Sequence, residues 1–213
     1  MKAILFDMDG VLSNTEPHHV KAFKELFRRH GVHLTNKDTS TIFGRLDEDI
    51  IRDLSRKHKV KANLNKWYWE KRRIVVNYLK KQKIPSFPDA ISLVKKAAKK
   101  YKLGIGTSSS HEELNIVLKR LGINNYFRKI LGREDVKNHK PHPELYLKLA
   151  KKLKVKPSEC VVVEDSIAGV EAAKRAGMKC IAVTNSYPAS KLRKADLIVK
   201  HLTDKRVKEF LGL

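Results

Sequence analysis

The chain has 213 residues, 46 Lys+Arg against 23 Asp+Glu and a formal net charge of +23. With 41% hydrophobic residues it can bury a core as one domain or as one domain carrying an insert. No apolar stretch approaches the ~20 residues that a membrane-spanning helix needs, and the N-terminus lacks the shape of a signal peptide. The surplus of cations favours anionic partners, phosphorylated small molecules and nucleic acid among them.

Ala3 to Phe6 is a short apolar run, predicted as a buried parallel strand. It leads into Asp7-Met8-Asp9-Gly10, where the glycine permits a sharp turn. Alone, that pattern fits an Asp-Gly turn as well as a reactive site. Val20, Phe23 and Phe27 then recur at helical spacing, and the helix is expected to end near Gly31. From about Thr35 to Lys83 the pattern is helical, with Ile42, Ile50, Ile51 and Leu54 facing inward, and Trp67, Ile74 and Tyr78 on one face of a further helix. Pro85-Ser86-Phe87-Pro88 breaks the pattern. Residues 14–84 are therefore read as an inserted helical unit, and residues 1–13 with 85–213 as the surrounding domain.

Beyond the break, helix and strand alternate. Ala90, Leu93, Val94 and Ala97 make a helix face, and Leu103 to Gly106 a strand ending at Thr107-Ser108-Ser109-Ser110. Leu114, Val117, Leu118 and Leu121 form a helix closed by Gly122. Tyr126 to Leu131 is the next strand, and Leu145, Tyr146, Leu149, Ala150 and Leu153 the next helix face. Cys160 to Val163 is a strand ending at Glu164-Asp165, and a small-residue helix follows from Gly169 to Ala176. Ile181 to Val183 and Leu197 to Val199 are two more strands. This alternation predicts an α/β fold with a Rossmann-like, doubly wound parallel sheet. Cys160 and Cys180 lie in apolar runs and are read as buried free thiols, which suits a reducing, cytoplasmic setting.

In such a sheet the strand ends share one edge. Asp7, Asp9, Thr107, Ser108, Glu164 and Asp165 would all converge there, with Lys140 entering from the turn-rich loop Asn138 to Pro143. Each has a plainer explanation: Thr107 and Ser109 as caps of the next helix, Glu164-Asp165 as a polar loop with Ser166 as a cap, Lys140 as a solvated lysine. The combination is far less expected by chance than any one part.

In order and spacing, these elements resemble the four motifs of the haloacid dehalogenase-like superfamily. Asp7-Met8-Asp9-Gly10-Val11 resembles the first, Thr107-Ser108 the second, Lys140-Pro141 the third, and Glu164-Asp165-Ser166 with Ala168-Gly169 the fourth. Asn14-Thr15-Glu16-Pro17 with His19, Lys137-Asn138, and Gly169 to Ala173 are similar to the β-phosphoglucomutase-like subgroup, and the helical insert to its cap domain. The resemblance implies a phosphatase acting on small phosphate monoesters, with Asp7 as nucleophile and Asp9 as proton donor and acceptor. It implies Mg2+ held by Asp7, the Asp9 carbonyl and Asp165 with Glu164 at hand, and phosphate oxygens held by Thr107, the Ser108 N–H and Lys140. Asp9 argues for phosphate esters, because the dehalogenases need no acid at that position.

The mutase places an Arg three residues after a cap glycine; here Gly44 is followed at that spacing by Asp47. That departure favours hydrolysis over mutase activity. His19 and Arg45 are the candidate cap contacts to substrate, with Arg72 and Arg73 as further cationic candidates. A nucleic-acid role would rest on the charge and on Trp67-Tyr68-Trp69 among cations. Such binding would be non-specific, since the lysines spread over many helices. The expected partner is a small phosphorylated metabolite, and the oligomeric state is not legible.

Overall fold

In a computed structural model, residues 1–40, 42 and 45–213 are described. Gly44, from which the cap pattern was counted, lies outside the described residues. The elements run β1 (Ala3–Phe6), α1 (Glu16–Arg29), α2 (Asn36–Thr39), α3 (Asp47–Lys57), α4 (Leu64–Lys81), α5 (Pro88–Ala97), β2 (Lys102–Gly106), α6 (His111–Leu121), β3 (Lys129–Leu131), α7 (Glu144–Leu153), β4 (Cys160–Glu164), α8 (Ile167–Arg175), β5 (Lys179–Val183), β6 (Leu197–Val199) and α9 (Lys205–Leu211). They cluster into two compact units, Met1–Asn14 with Ile84–Leu213, and Thr15–Lys83.

The first unit is built on a six-stranded sheet of order β3-β2-β1-β4-β5-β6. Every neighbouring pair is parallel, the doubly wound sheet that the alternation predicts. β1 is central because all four of its residues are apolar and fully buried. Ala3 and Leu5 point to the face where Leu145, Tyr146 and Leu149 of α7 and Val170 and Ala173 of α8 pack. Ile4 and Phe6 point the other way and are equally buried, and Phe6 meets Phe127 edge to face at 6.0 Å. Burying each large side chain contributes about 1.5–3 kcal/mol, so two covered faces make a firm platform for the strand tips. The order reverses between β1 and β4, and in such sheets ligands bind at the carboxyl ends beside that switch.

Local differences from the sequence expectations have simple causes. The Tyr126–Leu131 stretch is a short 3-10 turn over Asn124–Tyr126 followed by β3, which is therefore only three residues long. α8 starts at Ile167, two residues before Gly169, because the Ser166 hydroxyl accepts from the Gly169 N–H and caps it. The cap of α6 is Ser110, not Thr107 or Ser109: its hydroxyl accepts from the Glu113 N–H, and the Glu113 carboxylate accepts from the Ser110 N–H in return. The other two hydroxyls are thereby left for other duties.

The second unit is helical. α1 packs on α4 and α4 on α3. Ile42, Ile50, Ile51, Leu54, Trp67 and Ile74 are buried as the periodicity predicts, whereas Leu79 rather than Tyr78 completes the inner face of α4. Among the described residues no helix is long and apolar enough to cross a membrane. Cys160 and Cys180 are buried free thiols, and burial pushes the Cys160 thiol up to about 11.

Candidate active site at the carboxyl edge of the sheet

Asp7 is the first residue beyond β1, and its N–H donates to Val163 O at 3.0 Å, so strand pairing fixes its backbone. The chain then folds back on itself. Leu12 N and Ser13 N both donate to Met8 O, and Gly10 N donates to Ser13 O at 2.8 Å. Gly10 takes φ +83, and a Cβ there would fall inside the Asp165 carboxylate. Only glycine lets the first loop approach the tip of β4 so closely.

Lys140 binds the tips together. Its side chain is 6% exposed, and Nζ donates to Asp7 Oδ1 at 2.7 Å, Glu164 Oε1 at 2.6 Å and Gly106 O at 3.2 Å. It also lies 5.0 Å from the Tyr146 ring centroid. The solvated lysine of the plainer reading is thus a buried bridge between β1, β2 and β4. Glu164 is saturated with donors: Oε1 accepts from Lys140 and from the Tyr146 hydroxyl, and Oε2 accepts from Asp165 N, Ser166 N and Ser166 Oγ.

These partners set the charges. Burial raises Asp7 more than Lys140 lowers it, and the neighbouring Glu164 and Asp9 raise it further, to about 8. Glu164 is equally buried, yet Lys140 and the N–H donors of Ser166 and Asp165 hold it below the usual carboxylate range. Burial opposes the charge of Lys140, but the facing Asp7 and Glu164 carboxylates raise it well above its ordinary value. Asp7, Glu164 and Asp165 each offer an oxygen, all within 4.8 Å of one another. One ammonium is shared by Asp7 and Glu164 and Asp165 adds a third carboxyl group beside them, which leaves the cluster short of positive charge. Hard oxygen donors with that deficit fit a divalent cation such as Mg2+.

The Asp9 carboxylate turns to the end of β2. Oδ2 accepts from Ser109 Oγ and, at 3.4 Å, from Thr107 Oγ1, which in turn accepts from Ser109 N at 3.1 Å. Thr107 is buried, its N–H donating to Leu131 O at 3.1 Å. Ser108 is exposed at the start of this turn. The turn feeds the N-terminus of α6, whose unpaired N–H groups and dipole favour an anion.

The second unit holds the remaining candidates, and they do not form one cluster. His19 Nδ1 lies 2.8 Å from Lys71 Nζ, which also donates to Asp47 Oδ1 at 2.9 Å and Oδ2 at 2.8 Å. Lys71 is fully buried and sits 4.8 Å from the Phe23 ring centroid. Arg45 pairs instead with Asp53. Arg72 lies over Trp69, 5.0 Å from its centroid, and Arg73 is exposed. Trp67 is core, packed edge to face on Phe27 at 5.2 Å and stacked on His30 at 4.0 Å. Tyr68 is buried as well, so of the three aromatics only Trp69 is exposed.

Three contributors escaped sequence reasoning. Tyr146 was counted as part of an apolar helix face, Ser109 as a cap, and Lys71 as one of the cations beside Trp67-Tyr68-Trp69. Only for Ser109 was there a usable signal: four consecutive hydroxyl residues exceed what one helix cap requires.

A parallel sheet with two aspartates, a hydroxyl turn, a buried lysine and an acidic pair on one edge defines a hydrolase site of a known kind. The chain belongs to the haloacid dehalogenase-like hydrolase family, whose pattern matches residues 4–183. It is similar to the phosphorylated carbohydrates phosphatase of Thermotoga maritima, 36% identical over 185 residues that cover 85% of this chain and 84% of that protein. It is also similar to the fructose-1-phosphate phosphatase YqaB of Escherichia coli, 29% identical over 180 residues covering 84% and 95%. A crystal structure of β-phosphoglucomutase from Clostridium difficile superposes with a TM-score of 0.84 at 26% identity, covering 100% of this chain and 97% of that one. Members of the family generally use Mg2+.

Proposed function

We propose that the protein is a Mg2+-dependent phosphatase that hydrolyses monophosphate esters of sugars through a phosphorylated Asp7. The observation that carries this reading is the joint placement of Asp7 on Lys140 and of Asp9 on Thr107 and Ser109. Phosphoryl transfer asks mainly for positioning and charge stabilisation. Asp7 attacks phosphorus, and the ester oxygen departs with a proton from Asp9. Asp9 then takes a proton from the water that cleaves the aspartyl phosphate. Thr107, the Ser108 N–H and Lys140 hold the phosphate oxygens as charge shifts among them. Asp7, Glu164, Asp165 and the Asp9 carbonyl would hold the metal. When bound, Mg2+ supplies the positive charge that the three carboxylates lack and lets an anionic Asp7 meet an anionic phosphate.

Sugar phosphates are the proposed substrates because the similar proteins named above carry those substrates in their names. Hydrolysis is preferred over mutase activity because, among the described residues, the position where the mutase has its Arg carries no cation. Asp47 stands there and is tied to Lys71, while Arg45 is paired with Asp53.

The test is phosphate release from a panel of sugar monophosphates with and without Mg2+, using Asp7→Asn as the blank, beside a mutase assay on β-glucose 1-phosphate. Metal-dependent release by the wild type and none by the variant are expected. Turnover by Asp7→Asn would overturn the mechanism, and faster isomerisation than release would overturn the preference for hydrolysis.

A further inference from the structure

Beyond the four motif segments, a fifth segment, the tip of β5, reaches the site. The register pairs Glu164 of β4 with Ala182 of β5, so the residues that follow Val183 come out beside Asp165. Thr184 N donates to Val199 O at 3.0 Å, which anchors the start of this turn to β6. The Ser186 hydroxyl then donates to Asp165 Oδ2. The neighbouring Asn185 sends its Nδ2 to Gly10 O at 2.7 Å. A Cβ at Gly10 would also stand 3.0 Å from Ser186 Oγ, so the first loop, the tip of β4 and the turn after β5 meet at one point.

We infer that Ser186, assisted by Asn185, is a positioning residue for the metal: it orients the Asp165 carboxylate and clamps the first loop against it. The inference rests on the reading of Asp7, Glu164 and Asp165 as the cation site. A carboxylate rotates readily about its terminal torsion. A hydroxyl donor on one oxygen selects one rotation, and the second oxygen is then presented at a set angle. Outer hydrogen bonds of this kind orient metal ligands, and losing one typically weakens metal affinity 10–100-fold. Asn185 fixes the neighbouring element by holding the carbonyl next to that of Asp9. These hydrogen bonds run to Asp165 and Gly10, so their effect is on the metal rather than on the ester. The pairing also gives a role to Asn185 and Ser186 among the three polar residues that follow the apolar run Cys180 to Val183.

The experiment is a calorimetric titration of the protein with Mg2+ in the absence of substrate, for wild type, Ser186→Ala, Ser186→Thr, Asn185→Ala and Asp165→Asn. Thermal midpoints of each variant confirm that it is folded. Ser186→Ala is expected to weaken Mg2+ binding by about 10-fold or more with an unchanged midpoint, and Ser186→Thr, which keeps the hydroxyl, to restore most of it. Asn185→Ala is expected to weaken binding by a smaller factor. Wild-type affinity in Ser186→Ala, with binding lost in Asp165→Asn, overturns the role of Ser186 and leaves the cation site standing. Wild-type affinity in Asp165→Asn overturns the cation site itself and the inference with it.

Discussion

Tyr146 donates its hydroxyl to Glu164 Oε1 at 2.9 Å, and neither residue has any exposed surface. The bond joins the inner face of α7 to the tip of β4, and it supplies a neutral donor to a carboxylate that must also serve Lys140. Tyr146→Phe keeps the ring and its packing and deletes only that donor. Glu164 retains its other four donors, so the cost should be about 1–2 kcal/mol rather than a collapse. Urea denaturation of the two proteins measures it directly.

Gly169 should resist substitution although it sits inside a helix. Replacing a helical glycine by alanine ordinarily gains about 0.5–1 kcal/mol. Here a Cβ would occupy the space of the Glu164 carboxylate, and overpacking typically costs about 1–3 kcal/mol. The second effect wins, so Gly169→Ala should lower the thermal midpoint and reduce activity together. A stabilised variant would mean that Glu164 has room to move aside.

Asp9 offers a test that separates proton transfer from simple structural support. If it protonates the departing oxygen, Asp9→Asn should slow the release of a poor leaving group such as a sugar alkoxide by about 10²–10⁴-fold. An aryl phosphate, whose leaving group needs less protonation, should suffer much less. Steady-state rates on one sugar phosphate and on p-nitrophenyl phosphate give the ratio. Equal losses on both would remove the proton-transfer role.

The inserted unit has its own acid-sensitive joint. Asp38 is 2% exposed, and Lys57 at 2.6 Å, the Thr35 N–H and hydroxyl, each at 2.7 Å, and His58 at 3.2 Å surround its carboxylate. The Lys57 and Thr35 hydrogen bonds hold it well below the usual carboxylate range. A carboxyl depressed in the folded state contributes stability above its unfolded pKa, near 3.9, and that contribution fades as pH falls further. Asp38→Asn should therefore cost about 1.5–3 kcal/mol at pH 7. Its deficit relative to wild type should shrink progressively below about pH 4. Thermal melts of both proteins across pH 2–8 check the sign.

The strand tips were legible because each is an apolar run stopped by a polar residue, and parallel strands joined by helices put such stops on one edge. Ala3–Phe6 followed by Asp7, and Cys160–Val163 followed by Glu164-Asp165, carry that signal within a few residues. The duties of Ser109 and Ser110 were not separable, since adjacent serines are equivalent until the helix start is known. Tyr146 occupies an i, i+3 position with Leu149 and Leu145 beside it, and periodicity cannot reveal a hydroxyl that meets Glu164 across the fold. Lys71 was hidden for a related reason. A lysine is buried only when a counter-charge arrives, and Asp47 lies on a different helix. Ser186 and Asn185 follow a strand that carries no acidic residue, so nothing nearby in the chain marked them.

The placement of β1 has a consequence for how the molecule is made. Ala3 pairs with Lys102 on one side and with Cys160 on the other, so the middle strand of the sheet leaves the ribosome first and its neighbours long afterwards. Until then Ala3–Phe6 is an apolar segment with two unsatisfied edges, a state prone to mispairing. Such distant pairings slow folding, because chain entropy is lost before contacts compensate for it. Asp7 and Asp165 cannot meet until the chain has been made past β4, so a product that stops short of β4 lacks the acidic cluster.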